Sequence, residues 1–129
     1  MVFVGTSQHD VRAFPDAVRK LVGFALYRAQ EGETHPNAKP LQGFGGAGVL
    51  EVIADNDGNT YRTVYTVRLT AAVYVLHAFQ KKSVRGIRTP QHEMDLVRSR
   101  LAWAQRIDAA RIAEQKRQES DLQHKGEGQ

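Results

Sequence analysis

The chain has 129 residues, 41% of them hydrophobic and 25% charged, a balance that fits one soluble globular domain and excludes wholesale disorder. It contains no cysteine, which removes disulfides, thiolate metal sites and cysteine nucleophiles. No apolar run approaches the roughly 18 residues of a membrane span, and the first residues lack the basic-then-apolar build of a secretory signal, so a cytoplasmic location is expected.

The formal net charge of +4 is unevenly distributed. Residues 58–92 carry six basic side chains (Arg62, Arg68, Lys81, Lys82, Arg85 and Arg88) and no acidic one, whereas residues 1–57 are net negative and residues 93–129 neutral. A cationic block of this kind suits a polyanion, because each cation near a phosphate gains Coulomb energy and releases counterions. A solvated basic face without a ligand accounts for the same charges.

Met1–Val4 is short, apolar and suited to an edge strand. Ser7 offers a cap for a helix over Gln8 to Ala13, which Pro15 ends. From Pro15 the residues Val18, Leu21, Val22, Ala25, Leu26 and Ala29 form one stripe of a 3.6-residue repeat, so a helix is predicted with Pro15 at its first position and Gly32 closing it. Glu33 to Gly48 reads as a loop rich in Pro and Gly. Its GFGGAG stretch lacks the Gly-Lys-Ser/Thr ending of a phosphate loop and is better suited to tight turning.

Three strands follow: Val49–Asp55, Thr60–Arg68 and Ala72–Phe79. The first two are joined by an Asp-Asn-Asp-Gly-Asn turn whose residues tolerate positive φ. Short connections make them an antiparallel meander. Lys81–Arg88 is a basic loop. Thr89 then caps a second long helix, with Pro90 at its first position and Glu93 and Asp95 near its positive end. Met94, Val97, Leu101 and Ala104 form its apolar stripe. Beyond about Arg111 it turns polar, and Glu119–Gln129 is expected to fray. The domain is thus assigned to residues 1–110 and a polar tail, helical or disordered, to 111–129.

Alternation places Arg62, Val64, Thr66 and Arg68 on one face of the central strand and Tyr61, Thr63 and Tyr65 on the other. Arg62, at the sheet rim, suits bidentate phosphate contact, and a salt bridge to Glu51 or Asp57 is the competing assignment. Lys81, Lys82, Arg85 and Arg88 are further candidates for a backbone phosphate. His77 lies in an apolar strand, where an imidazole is usually a hydrogen-bonded core residue, and His92 in the first helical turn is a candidate acid or base. No metal-ligand spacing such as HExxH is present, and no metal or cofactor is expected.

Lys39-Pro40-Leu41, Leu50-Glu51, Tyr61-Arg62 with Tyr65, the Val75–Phe79 strand, Lys81-Lys82 and Thr89-Pro90, in this order, resemble the RelE/ParE toxin superfamily, specifically its phage-derived HigB-like branch. The likeness covers roughly residues 2–108. It implies an α+β fold with two N-terminal helices packed on a twisted antiparallel sheet, extended here by a long C-terminal helix. It also implies the toxin of a type II toxin–antitoxin pair, silenced by a protein antitoxin of helix-turn-helix type.

RelE- and HigB-like members cut mRNA on the ribosome by attack of a ribose 2′-OH on the adjacent phosphodiester. ParE-like members instead inhibit DNA gyrase, and a non-catalytic nucleic-acid-binding protein is a third possibility. By resemblance, Arg62 matches the arginine that grips the scissile phosphate, and Lys82, with Lys81 beside it, the second cation. The chain departs from RelE in having Glu51 and Ile53 in place of two lysines, and Arg88 in place of a C-terminal Tyr or His. Glu51 is then a candidate base, or equally the structural partner of Arg62, and His92 or Lys82 is a candidate acid. Arg68, Arg85, Arg88 and His92 are expected to contact RNA or ribosome.

Overall fold

A computed structural model describes residues 1–45, 48–82 and 90–127, with the backbone alone for Lys82 and residues 124–127. The elements in order are β1 (Val2–Phe3), α1 (Ser7–Arg12), α2 (Asp16–Gln30), β2 (Ala38–Pro40), β3 (Val49–Asn56), β4 (Asn59–Thr66), β5 (Tyr74–Lys82) and α3 (Gln91–Glu127). The fold is α+β, and its sheet has the order β1-β5-β4-β3-β2.

The sheet is mixed, which corrects the expectation of a purely antiparallel one. β3, β4 and β5 form the expected meander, but β1 pairs in parallel with β5 through Val2↔Tyr74 and Phe3↔Val75. A second correction is β2, an edge strand within the segment expected to be a loop, which pairs with β3 through Lys39↔Glu51 and Pro40↔Leu50. Pro40 is tolerated there because an edge strand leaves one row of backbone groups unpaired.

The β3–β4 hairpin closes through Asp57 and Gly58, both at positive φ (55° and 81°), the signature of a type I′ turn whose twist matches that of the strands. β4 stops at Thr66 and has a register shift at Val64/Tyr65. Arg68 therefore lies beyond the strand, exposed on the turn, instead of in line with Arg62.

The two sheet faces are covered by different helices. On one, α2 buries Val18, Val22, Ala25, Leu26 and Ala29 against Leu50, Val52, Ala54, Tyr65 and Val75. Ser7, expected as a cap, is fully buried in α1, and its hydroxyl donates to the Val75 carbonyl (3.1 Å). On the opposite face, α3 buries Val97 and Ala104 against Val49, Val64, Tyr74 and Leu76. This makes three layers, helix–sheet–helix.

Two polar anchors fix α3. Arg100 donates to the Leu76 carbonyl (2.9 Å) and to Thr6 Oγ1 (3.1 Å), and its guanidinium occupies the space where a Cβ on Gly5 would stand, 2.7 Å away. One turn past the last core alanine, buried Asp108 accepts bonds from the amides of Thr70 (3.1 Å) and Ala71 (2.8 Å) and from the Tyr74 hydroxyl (3.0 Å). Burial and this carboxylate together push the Tyr74 hydroxyl pKa above its ordinary value. α3 then continues as one helix to Glu127, through the residues where the sequence predicts fraying.

Asp108→Ala strands two backbone donors and a buried hydroxyl, and is expected to cost about 2–3 kcal/mol in urea unfolding, whereas Tyr74→Phe should cost about 1 kcal/mol. Equal losses for the two variants would show that Asp108 does not anchor the 69–73 turn.

Candidate phosphate-binding face

Register decides which side chains meet. Cross-strand partners share a face and successive residues alternate. The pairs Lys39↔Glu51, Glu51↔Val64 and Val64↔His77 form one row across the sheet, Ile53↔Arg62 and Arg62↔Phe79 the next, and Asp55↔Thr60 and Thr60↔Lys81 the third. All three rows lie on the face that α3 covers, as Val64 in the α3-side core shows. The polar residues of this face therefore gather toward the β3–β4 hairpin, past the edge of the α3 core.

Glu51 is the centre of the group. It is buried, yet Arg62 Nη1 donates to its Oε2 at 3.0 Å, and Lys39 Nζ lies 3.8 Å from its Oε1. A carboxylate taken out of water needs such partners. Arg62 is itself largely covered, with 17% of its side chain exposed, while Lys39 is open at 62%. Lys81, half-buried, joins the same field. Its pKa falls below the ordinary 10.5, first because burial disfavours the ammonium and then because the Arg62 guanidinium repels it, with Glu51 pulling the other way. Lys39 and Arg62 thus bracket the Glu51 carboxylate, and Lys81 lies on the same face within electrostatic reach of both Arg62 and Glu51, in the row that also holds Asp55.

Of the sequence-predicted site residues, Arg62, Lys81 and Glu51 are brought together. The pairing of Arg62 with Glu51, one of the two assignments left open by the sequence, is the one found. Lys81 and Lys82 belong to β5 itself, where Lys82 pairs with Asn59, instead of to a loop after it. The Lys82 side chain, Arg85 and Arg88 lie outside the described residues. Arg68 is not part of the cluster. His92 is open to solvent, with Nε2 3.1 Å from Glu93 Oε1. Tyr65 faces the α2 side, fully buried, and burial raises its hydroxyl pKa to about 12.

Two features of this face are hidden in the sequence. Lys39 registers there only as part of a motif in a loop, because β2 is too short to show alternation. The second is a buried relay on the same face: His77 Nε2 pairs with Glu93, and His77 Nδ1 accepts from Arg100 Nη1 (3.2 Å). These contacts fix the ring with its proton on Nε2, and the ring stacks on Phe79 at 5.1 Å. An apolar-strand histidine ahead of a helix that opens with Glu93 is the sequence signal for such a contact. Among the described residues, no group of three His, Asp or Glu side chains is placed to hold a metal, and no helix is long and apolar enough to cross a membrane.

Residues 9–102, the span from α1 through the first third of α3, match the family model described as "Phage derived protein Gp49-like (DUF891)". The chain belongs to the Gp49-like family. The match includes every residue of the Glu51 cluster and stops before the distal part of α3. No curated protein and no solved structure matches the chain.

The electrostatic coupling within this Gp49-like cluster is testable by side-chain NMR titration of Lys81. Glu51→Gln removes the anion that favours the ammonium and is expected to lower the Lys81 pKa further. An Arg62→Gln, Glu51→Gln pair, which removes the repelling guanidinium as well, is expected to return it toward 10.5 relative to Glu51→Gln alone. Identical titrations in all three proteins would show that Lys81 stands apart from the pair.

Proposed function

We propose that this Gp49-like protein is the toxin of a toxin–antitoxin pair and that it acts on RNA, as an endonuclease on ribosome-bound mRNA, with the Lys39–Arg62–Lys81 group as its phosphodiester grip. The observation that carries this reading is that Lys39, Arg62 and Lys81, from three strands, share one sheet face, the first two against the buried Glu51 carboxylate. Family membership supports it, and so does the resemblance to RelE- and HigB-like toxins. A protein antitoxin is the partner this implies.

In the reaction so assigned, the ribose 2′-oxygen gives its proton to solvent water and attacks the adjacent phosphorus. The P–O5′ bond breaks and the 5′-oxygen takes up a proton, leaving a 2′,3′-cyclic phosphate and a 5′-hydroxyl. The charge that develops on the phosphorane is met by cations already held in place, and preorganised electrostatics of this kind usually contributes more to catalysis than any other single effect. Arg62, whose Nη1 is held by Glu51, meets a phosphoryl oxygen by sharing its guanidinium with that carboxylate. Lys81, whose pKa is lowered by burial and by Arg62, is closer to working pH than an ordinary lysine and so a better proton donor to the leaving oxygen. Both oxygens of Glu51 are engaged by cations, which supports a positioning role for it over proton abstraction.

That same engagement favours one alternative: with Arg62 held by Glu51, the face can serve for binding alone, as in a ParE-like inhibitor of DNA gyrase. Expression in bacteria separates the two. The nuclease reading expects growth arrest with transcripts cut within codons, whereas the gyrase reading expects broken DNA and an SOS response with intact transcripts.

Arg62→Ala is a poor probe by itself, because it strands the Glu51 carboxylate and is expected to cost about 2–3 kcal/mol of stability. The paired Glu51→Gln, Arg62→Gln variant keeps a neutral hydrogen bond and should fold, yet lose cleavage by about 100-fold or more. Lys81→Ala should lose about 10-fold or more as the proton donor. Full toxicity in both variants would overturn the phosphate-grip assignment.

A further inference from the structure

α2 presents two faces of opposite fate. Its inner stripe, Val18, Val22, Ala25, Leu26 and Ala29, is buried in the core. Its outer stripe carries Phe24 and Tyr27, 66% and 61% exposed, the most open aromatic pair among the described residues. With Lys20 and Gly23 they line a shallow notch of about 370 Å³. Large apolar side chains grouped this way on a helix are a mark of interaction surfaces.

Gly23 sharpens the point. It sits mid-helix, where glycine is disfavoured relative to alanine. A Cβ there would meet no atom within 4 Å, and its φ is not one that requires glycine. Nothing within the chain therefore asks for a missing side chain at the floor of the notch.

We propose that this face is a two-fold interface between copies of this chain, formed by antiparallel crossing of two α2 helices. The argument is self-complementarity, which a two-fold contact demands: whatever residue i meets, its partner must meet in return. Tyr27 and Gly23 are symmetric about position 25, and Lys20 and Glu31 are symmetric about a point within one residue of it, a difference under about 1.5 Å of helix rise. One antiparallel crossing therefore drops each Tyr27 ring into the notch over Gly23 of the second copy and sets each Lys20 opposite Glu31 of the second copy. Phe24 covers the crossing point. Lys20 and Glu31 are exposed and have no ion pair within the chain among the described residues. Asp16 and Arg19, at the start of the same helix, pair with each other.

A single helix pair buries less than the about 1,600 Å² of a typical stable complex, so the dimer is a concentration-dependent one. This interface is on the opposite side of the sheet from the Glu51 cluster and does not rest on the function proposed for it.

Sedimentation of the full chain from about 5 to 500 µM is expected to show a monomer–dimer equilibrium. Lys20→Glu or Glu31→Lys alone should weaken the dimer about 10-fold, and the two together should restore it to within about threefold of the parent. Gly23→Leu fills the notch and should abolish dimerisation while raising thermal stability, since leucine is the better helix former. A chain that stays monomeric throughout overturns the proposal. So does a dimer that Gly23→Leu leaves intact, or one that the paired charge reversal fails to rescue.

Discussion

A buried carboxylate dictates the arrangement on the α3 side of the sheet. Glu51 stands in β3, between an edge strand and the central strand, in a position where an unpaired charge would be prohibitively costly. Its burial is compatible with folding only because Lys39 arrives from β2 and Arg62 from β4. Each of those strands is placed by a local device: the type I′ turn at Asp57-Gly58 sets the β3–β4 register, and the pairing of β2 sets Lys39 opposite Glu51. Shifting either register by one residue would send a cation to the α2 core, where Val52, Ala54 and Tyr65 leave it no partner.

The pair has two consequences that pull in opposite directions. It orders Arg62, and under the proposed function that ordering spares side-chain entropy when a phosphate binds. It also occupies the guanidinium with an internal anion. Under the proposed function a phosphodiester binds by sharing Arg62 with Glu51, with Lys39 and Lys81 on the same face. The proposed site is therefore one whose geometry is set by a single buried carboxylate and the strands that bring cations to its face.

Much of this was legible from sequence, and the reasons for success and failure are physical. The α2 stripe and the β3–β5 meander follow from periodicity, because amphipathic elements four or more residues long write their buried face into the chain. The Asp57-Gly58 turn follows from conformational chemistry. Alternation alone put Arg62 and Tyr65 on opposite faces. What periodicity lacks is information on elements of two or three residues: β1 and β2 are too short to alternate, so the parallel β1–β5 pairing and the edge placement of Lys39 were invisible. Arg68 failed for a related reason, since the register shift at Val64/Tyr65 and the end of β4 at Thr66 break the extrapolation from Arg62.

The length of α3 shows a different limit of pattern reading. The apolar stripe of Met94, Val97, Leu101 and Ala104 runs out with Ile107, and of the described residues beyond Arg111 all but Ile112 are exposed. Yet the costly step in making a helix is its first turn. Here that step is already taken: Arg100 is tied to Leu76 and Thr6, His77 to Glu93, and Asp108 to the 69–73 turn, so α3 leaves the body as a finished template. Each further residue adds a hydrogen bond for the fixing of its own backbone alone, and the distal sequence is rich in Ala, Gln, Glu, Lys and Arg, all favourable for propagation. The Arg117–Glu114 pair and the Gln118–Glu114 bond add side-chain support one turn apart. The helix therefore runs on to Glu127, its side chains exposed from Ala113 to Gln123, about 55 Å from end to end at 1.5 Å per residue. Its extension beyond the core follows from anchoring upstream, a cause that a local scan of residues 111–127 has no means to detect.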